Sequence, residues 1–102
     1  MTVHGKALLA ELFRTTETQT PFGGRSVAYD LLGSIWLKLG VVRRRERGEA
    51  GAGAVSEQVT AASRSDVRLI DGRMLRWGGR DWRIVSSDTV GGRAILNLER
   101  VR

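Results

Sequence analysis

The last third of the chain consists of short apolar runs separated by turns that contain glycine, and this pattern restricts the fold more than any other feature. Such runs are too short for ordinary helices and are typical of strands. The runs and turns are, in order, Val67–Ile70, Asp71-Gly72, Arg73–Trp77, Gly78-Gly79, Asp81–Val85, residues 88–92 and Arg93–Val101. The series predicts a mainly β fold, a C-terminal meander that closes a small β-barrel or sandwich.

The hairpin around Gly78-Gly79 has two possible registers. A four-residue connection places Trp77 opposite Trp82, and it also places Leu75 opposite Ile84, which gives one apolar, aromatic face. A two-residue turn instead places Leu75 opposite Trp82 and gives a less consistent face. The pattern therefore favours the longer connection and predicts that all four side chains belong to the structural core.

The first half of the chain holds one clear strand and two ambiguous segments. Apolar residues at alternate positions predict a strand that ends near residue 42. These residues are Ile35, Leu37, Leu39 and Val41. Residues 7–14 and 26–33 are compatible with either a helix or a strand, although the threonines that follow residue 14 favour a strand. Between these segments, Pro21 and Gly23 predict a turn.

Residues 43–54 form an arginine-rich run that passes into glycine and alanine, which predicts a long flexible loop. Long loops within small domains are often functional. The charged side chains at its start are Arg43, Arg44, Arg45 and Arg47. They suit contacts with DNA phosphates, while the alternatives are a solvated loop or ion pairs with an acidic partner. Residues 55–64 alternate weakly and are predicted to form the return strand.

The chemistry that is missing from the sequence excludes several classes of function. The absence of cysteine removes disulfides, thiolate metal sites and cysteine nucleophiles. The single histidine, His4, lies near the N-terminus, where a catalytic or metal site would be poorly supported. Most aspartates lie at predicted turns, and no Gly-Gly pair stands in a phosphate-binding motif. We therefore predict no catalytic residue, no metal and no cofactor, and a protein that is not an enzyme.

Length and composition fit a single domain spanning residues 1–102. Hydrophobic residues make up 41% and charged residues 27% of the chain, as in ordinary globular proteins. No apolar stretch is long enough for a membrane span or a signal peptide, which predicts a soluble protein without membrane contact. The net charge of +6 is carried mainly by arginine and suits a phosphate or carboxylate ligand.

Trp77 and Trp82 allow a second interpretation. Aromatic side chains on barrel strands can stack on the bases of single-stranded nucleic acid, and arginines can contact its phosphates. The alternative function is therefore that of a small β-barrel nucleic-acid-binding protein. The apolar neighbours Leu75 and Ile84 favour a core role for both tryptophans instead.

Several motifs, taken in order, resemble the head-tail joining proteins of long-tailed bacteriophages, the stopper or head-completion family that phage-derived gene transfer agents also use. The motifs are Phe22-Gly23-Gly24 after the first strand, Ile35-Trp36 before a charged excursion, Val59-Thr60, and above all the run from Gly72 to Ile84. That run resembles the family's hairpin, in which a strand, a glycine-containing turn and an aromatic-x-Ile strand precede an acidic turn and a final strand.

The resemblance implies a small β-barrel protomer that works as a non-enzymatic structural connector. It implies a homo-oligomeric ring, of roughly six or twelve copies, between the portal or adaptor proteins of a DNA-filled capsid and the tail terminator or tail tube proteins. Such a ring closes the head and provides the docking platform for the tail. Residues 43–54 would then face a channel that holds double-stranded DNA. The protein is expected to be made in the cytoplasm and assembled into a virion or phage-like particle.

Overall fold

The computed structural model describes residues 7–47 and 54–101, which form an all-β fold. Within these ranges there are seven strands and no helix. The strands are β1 Ala7–Gln19, β2 Arg25–Leu39, β3 Arg43–Arg47, β4 Ala54–Arg64, β5 Met74–Trp77, β6 Arg80–Val90 and β7 Arg93–Val101. The predicted mainly β class is confirmed. The two ambiguous segments, 7–14 and 26–33, both lie in strands.

The strands form one antiparallel sheet in the order β2-β1-β5-β6-β7-β4-β3. A further pairing between β2 and β4 closes the sheet into a barrel. Strand β3 lies outside this ring because it pairs only with β4. Three runs of the predicted meander correspond to β5, β6 and β7, which follow one another in the sheet. The prediction was wrong for the first run, Val67–Ile70, which lies in the connection between β4 and β5. Closure leaves few strand edges exposed to pairing with other chains.

The alternation of side chains along the strands fills the barrel interior. Ala94, Leu96 and Leu98 of β7 all point inward and are almost completely buried, as their period of two requires. Leu12 of β1 lies opposite Leu75 of β5, and both are fully buried. Each large apolar side chain that is removed from water contributes about 1.5–3 kcal/mol. The core cluster also contains Ala10, Ile35, Leu37, Val59, Ala61, Leu69, Trp82 and Ile84.

The β5–β6 hairpin differs from the register that the sequence favoured. Gly78 and Gly79 have φ angles of 58° and 71°. Positive φ at both central residues is the requirement of a two-residue type I′ turn, whose twist matches that of the flanking strands. Leu75 therefore lies opposite Trp82, and Trp77 lies opposite an arginine. The prediction of a four-residue connection was wrong. The two glycines can adopt the positive φ angles of a tight turn, and this preference outweighs the pairing of Trp77 with Trp82 and of Leu75 with Ile84.

The predicted loop at 43–54 is also corrected in part. Its first five residues, Arg43–Arg47, form strand β3 and pair with Ala54–Gln58 of β4. Just before β3, the amide of Gly40 donates a hydrogen bond of 2.7 Å to the carbonyl of Thr60, so β4 has partners along most of its length. A charged composition does not prevent a strand when a neighbouring strand offers unpaired backbone groups. Residues 48–53 lie outside the described residues.

Candidate functional site

The distal half of the β1–β2 hairpin continues past the strands that pair with the barrel and borders a groove against the outside of β5, β6 and β7. We call it the arm: Arg14–Gln19 and Arg25–Asp30, which pair only with each other, together with the turn between them. Every residue of its two strands is exposed, and Phe22 in the turn is 99% exposed. Its ion pairs are Arg14–Asp30 at 3.4 Å and Arg25–Glu17 at 3.5 Å. The arm therefore has no core of its own.

The two C-terminal tryptophans lie at one mouth of the barrel. The rings of Trp77 and Trp82 stack with centroids 5.3 Å apart and planes only 3° from parallel. Trp82 is 3% exposed, Leu75 and Ile84 are fully buried, and Trp77 packs half-buried against them. A nucleobase cannot reach a ring that is covered in this way. The arrangement opposes the use of Trp82 as a stacking platform.

An ion pair closes the same mouth. Arg100 donates to a carboxylate oxygen of Glu57 at 3.3 Å, and the Glu57 side chain is only 4% exposed. Arg44 lies directly opposite Glu57 on the neighbouring strand. Loss of one member of a buried pair leaves an uncompensated charge, which is costly. Removal of either member would therefore destabilise the contact between β4 and β7.

The opposite mouth is covered by the connection between β4 and β5, residues 65–73. Leu69 enters the core, while the guanidinium of Arg68 binds Asp66 at 2.8 Å and donates to the carbonyl of Leu32 at 2.8 Å. The hydrogen bond from the Arg68 side chain, assisted by that from its backbone amide, lowers the pKa of Asp66 to about 2. Asp66 is thus a structural clamp rather than a proton donor.

Strands β2 and β4 meet along a short seam. They are paired only between Lys38–Leu39 and Ala61–Ala62. On one side of this pairing lies a cavity of about 340 Å³, lined in part by Trp36, Arg64 and Arg93. Trp36 is 63% exposed, and Leu9, directly opposite it on β1, is 51% exposed. The seam thus presents an aromatic surface beside cations.

Four cations lie along the outer surface beside this seam. Residues 59, 61 and 63 of β4 face the core, so residues 58, 62 and 64 face outward. Lys38 pairs with residue 62, Arg43 with residue 58, and Arg64 lies opposite Arg93. All four cations are exposed, and none forms an ion pair within the described ranges. We call these four residues and Trp36 the seam face.

Of the predicted arginine cluster, the structure describes the side chains of Arg43 and Arg44, and these two face opposite sides of the ribbon. Arg43, Arg44, Arg45 and Arg47 all lie on β3, where consecutive positions alternate between the two faces of the ribbon. Arg43 and Arg44 are both exposed, but Arg43 belongs to the seam face and Arg44 lies opposite Glu57. Lys38, Arg64 and Arg93 were missed because strands distant in sequence bring them together. Only the pairing register reveals that arrangement.

The described residues contain no further site of an obvious chemical kind. Within residues 7–47 and 54–101, no three histidine, cysteine or carboxylate side chains are grouped so that they could hold a metal ion. In the same part of the chain, no helix has the length and apolar character needed to cross a membrane. The described surfaces include the arm, the β3–β4 ribbon, the seam face and the groove between the arm and the barrel, which is lined in part by Tyr29 and Arg83.

A closed antiparallel barrel with a projecting arm defines the structural class of this chain, and comparisons with known proteins agree with it. No family model and no curated protein sequence matches the chain. Among solved structures, the chain is similar to a chain in "Virion of native gene transfer agent (GTA) particle". The TM-score is 0.75 at 18% sequence identity, over 97% of this chain and 98% of that one. The two chains share a fold from end to end.

Proposed function

We propose that this protein is a non-enzymatic structural component of a virion or phage-like particle, and specifically a connector that joins the head to the tail. The observation that carries the proposal is the fold shared with a chain of a gene transfer agent virion over almost the full length of both chains. Coverage in both directions supports a common whole unit rather than a shared hairpin. The fold alone would suit other roles as well.

The resemblance of the sequence motifs supports the proposal independently of the three-dimensional structure. The run from Gly72 to Ile84, which carries most of the resemblance to head-tail joining proteins, forms β5, its two-glycine turn and the start of β6. These residues provide the stacked tryptophans and part of the core. The motif therefore corresponds to a hairpin that builds part of the barrel core. We propose that other surfaces make the contacts with partners.

The outline of the molecule suits assembly into a ring. Its radius of gyration is 15.0 Å, against about 13 Å for a compact domain of this length. The molecule is correspondingly elongated, with principal-axis extents of 46, 33 and 23 Å. A ring needs two different surfaces on each protomer, and projecting hairpins beside a rigid barrel can supply them. The proposed neighbours are portal or adaptor proteins on one side and tail terminator or tail tube proteins on the other.

The chemistry of the carboxylates supports a role without catalysis. Asp66 is held by Arg68, and Asp81 accepts hydrogen bonds of 2.6 and 3.3 Å from Arg76. Both carboxylates serve as partners of arginine within turns and hairpins. Arg43, Arg44, Arg45 and Arg47 are proposed to contact DNA or a partner subunit from the ribbon.

Deletion of the gene in a strain that produces particles tests the proposal. We expect filled heads and free tails that fail to join, and complementation with the wild-type gene should restore complete particles in electron micrographs. In parallel, light scattering measures whether the purified chain forms a ring. Joined particles at the wild-type frequency without the gene, combined with a strictly monomeric chain, would contradict the connector role.

A further inference from the structure

The ionic contacts of this protein are unevenly distributed. Within the described residues, five arginines form ion pairs with carboxylates, all away from the seam face. These pairs are Arg14–Asp30, Arg25–Glu17, Arg68–Asp66, Arg76–Asp81 and Arg100–Glu57. The four cations of the seam face are exposed and have no such partner in the same ranges. The chain therefore leaves a concentrated positive charge on one side.

The placement of two of these cations is unfavourable in the free protein. Arg64 and Arg93 lie directly opposite each other across β4 and β7. Opposed residues in an antiparallel pair have Cβ atoms about 4.5–5.5 Å apart, and like charges at that distance destabilise the sheet. An anion placed between the two guanidinium groups would remove the repulsion. The pair is thus suited to bind an oxyanion.

The length of the seam face distinguishes a small anion from a polymer. From the position opposite Arg43 to Arg64, β4 advances six residues, which is about 20 Å at about 3.4 Å per residue. One phosphate cannot contact cations separated by that distance. A DNA duplex carries one charge per about 1.7 Å of its axis and presents about a dozen phosphates over the same length.

The surface between the cations distinguishes nucleic acid from an acidic protein. Between residues 58 and 64, the outward positions of β4 are occupied by Gln58, Thr60 and Ala62, and Thr60 approaches Asn97 on β7. One carboxylate, the nearly buried Glu99, lies opposite Gln58 on the same side of the sheet. Cores of protein–protein interfaces are depleted in charge and rich in apolar groups, whereas protein–DNA interfaces are polar and strongly positive. Four exposed cations with no ion pair in the described ranges surround these polar side chains and therefore favour DNA, while Trp36 adds an exposed aromatic ring at one end of the face.

We propose that the seam face, formed by Lys38, Arg43, Arg64, Arg93 and Trp36, binds the phosphate backbone of double-stranded DNA without preference for base sequence. The register of β2 and β4 places Trp36 beside Arg64, where its exposed ring can report on a bound duplex. The binding is a property of the single chain. It can therefore fail while the connector role holds, or hold while the connector role fails.

Fluorescence anisotropy of the full-length chain with a labelled 30-bp duplex, at low and moderate salt, provides the test. Replacing Lys38, Arg64 and Arg93 with serine removes three charges from exposed positions. The matched control replaces Arg14, Arg25 and Arg80 with serine, which removes the same charge from the arm and a hairpin turn. We expect the Kd of the seam variant to rise at least about tenfold and that of the control to change about twofold or less.

The salt dependence and the intrinsic fluorescence give independent measurements. Removal of three phosphate contacts should reduce the slope of log K against log salt by about 2 to 3 in the seam variant alone. The duplex should alter tryptophan fluorescence in the wild-type chain but not in Trp36→Phe, because Trp77 and Trp82 stack together away from the seam. Circular dichroism confirms that every variant is folded.

Four outcomes would overturn the proposal. Equal losses in the seam variant and its control would show that only net charge matters. Equally tight binding of poly-glutamate would assign the surface to an acidic protein partner. An absence of measurable binding at low salt would exclude a DNA-binding face. A second duplex of unrelated sequence should bind with the same Kd, and a large difference would contradict backbone recognition.

Discussion

The barrel body and the arm are built from the same two strands, yet they follow different physical rules. Within the barrel, β1 up to Leu12 and β2 from Ser34 alternate between more buried and exposed residues, and Leu12 and Leu37 are fully buried. Beyond Phe13 the same strands are exposed on both faces. The body is held by burial, whereas the arm depends on a two-stranded ladder and surface ion pairs, which contribute little.

The difference shows that stability and assembly depend on different parts of this molecule. An isolated hairpin is marginal in water, so the arm keeps its shape only because the barrel anchors one end of it. Its exposed aromatic tip does nothing for the folded monomer. The body should therefore respond to mutation mainly through the free energy of unfolding, and the arm mainly through assembly.

The largest expected effect is in the body. Leu75→Ala removes a fully buried side chain and leaves a cavity, so the free energy of unfolding in urea should fall by about 2–5 kcal/mol. Val67→Ala, at a position that is 93% exposed, should change it by less than about 0.5 kcal/mol. Equal effects at the two positions would refute the assignment of the core.

The next effect lies where the body passes into the arm. Gly33 has φ of 145°, and a Cβ atom there would collide with the guanidinium of Arg68. Gly33→Ala should therefore destabilise the protein by about 1–3 kcal/mol. Part of the loss should disappear in an Arg68→Ala background, because the collision is then relieved and only the backbone strain remains.

Gly23 provides the matched control in the arm. It also has a positive φ, 80°, but a Cβ atom there would meet nothing within 4 Å. Gly23→Ala should cost only about 1 kcal/mol of backbone strain. Urea denaturation of both variants measures the loss in the free energy of unfolding. A larger loss for Gly23→Ala than for Gly33→Ala would contradict the prediction.

A smaller effect concerns pH. The pKa of Asp66 is lowered to about 2 in the folded protein, so its ion pair stabilises the fold fully above the unfolded pKa near 4. This stabilisation should be lost progressively as the pH falls from about 4 toward 2. Melting temperatures of Asp66→Asn should show less dependence on pH in that window than those of wild type. Asp71→Asn, an exposed neighbour, is the control.

The smallest effect on stability is expected at the tip of the arm. Phe22→Ala should leave the free energy of unfolding within about 0.5 kcal/mol of wild type, because Phe22 is 99% exposed. Complementation of a deletion strain with this variant should nevertheless give fewer joined particles if the tip docks on a neighbour. A yield of joined particles equal to that of wild type would show that the tip of the arm makes no contact that assembly requires.

The sequence correctly predicted strands in which the alternation of apolar and polar residues matches the alternation of buried and exposed side chains. The alternation of Ala94, Leu96 and Leu98 placed β7 correctly, and the glycine-containing turns located the meander. The prediction failed at β3, where pairing with a neighbouring strand determines the secondary structure and the composition of the segment does not. Arg43–Arg47 looked like a loop by composition, but β4 offers a ladder that such a run can join.

The seam face was not accessible from the sequence for a related reason. Lys38, Arg64 and Arg93 stand apart along the chain, near the ends of three different strands. The pairing of β4 with β7 places Arg64 opposite Arg93, and Lys38 joins them through barrel closure between β2 and β4, a pairing of only two residues on each strand. No local pattern encodes so short a seam, so the surface became visible only in the folded structure.

Electron cryo-microscopy of purified particles tests the central proposal most directly. A reconstruction of the head–tail junction should contain a ring of this barrel between the portal side and the tail, with the arms projecting toward neighbouring subunits. Mass spectrometry of the same particles should detect the chain at a copy number that matches the ring. A complete junction without density for this fold, in particles that lack the chain, would contradict the account.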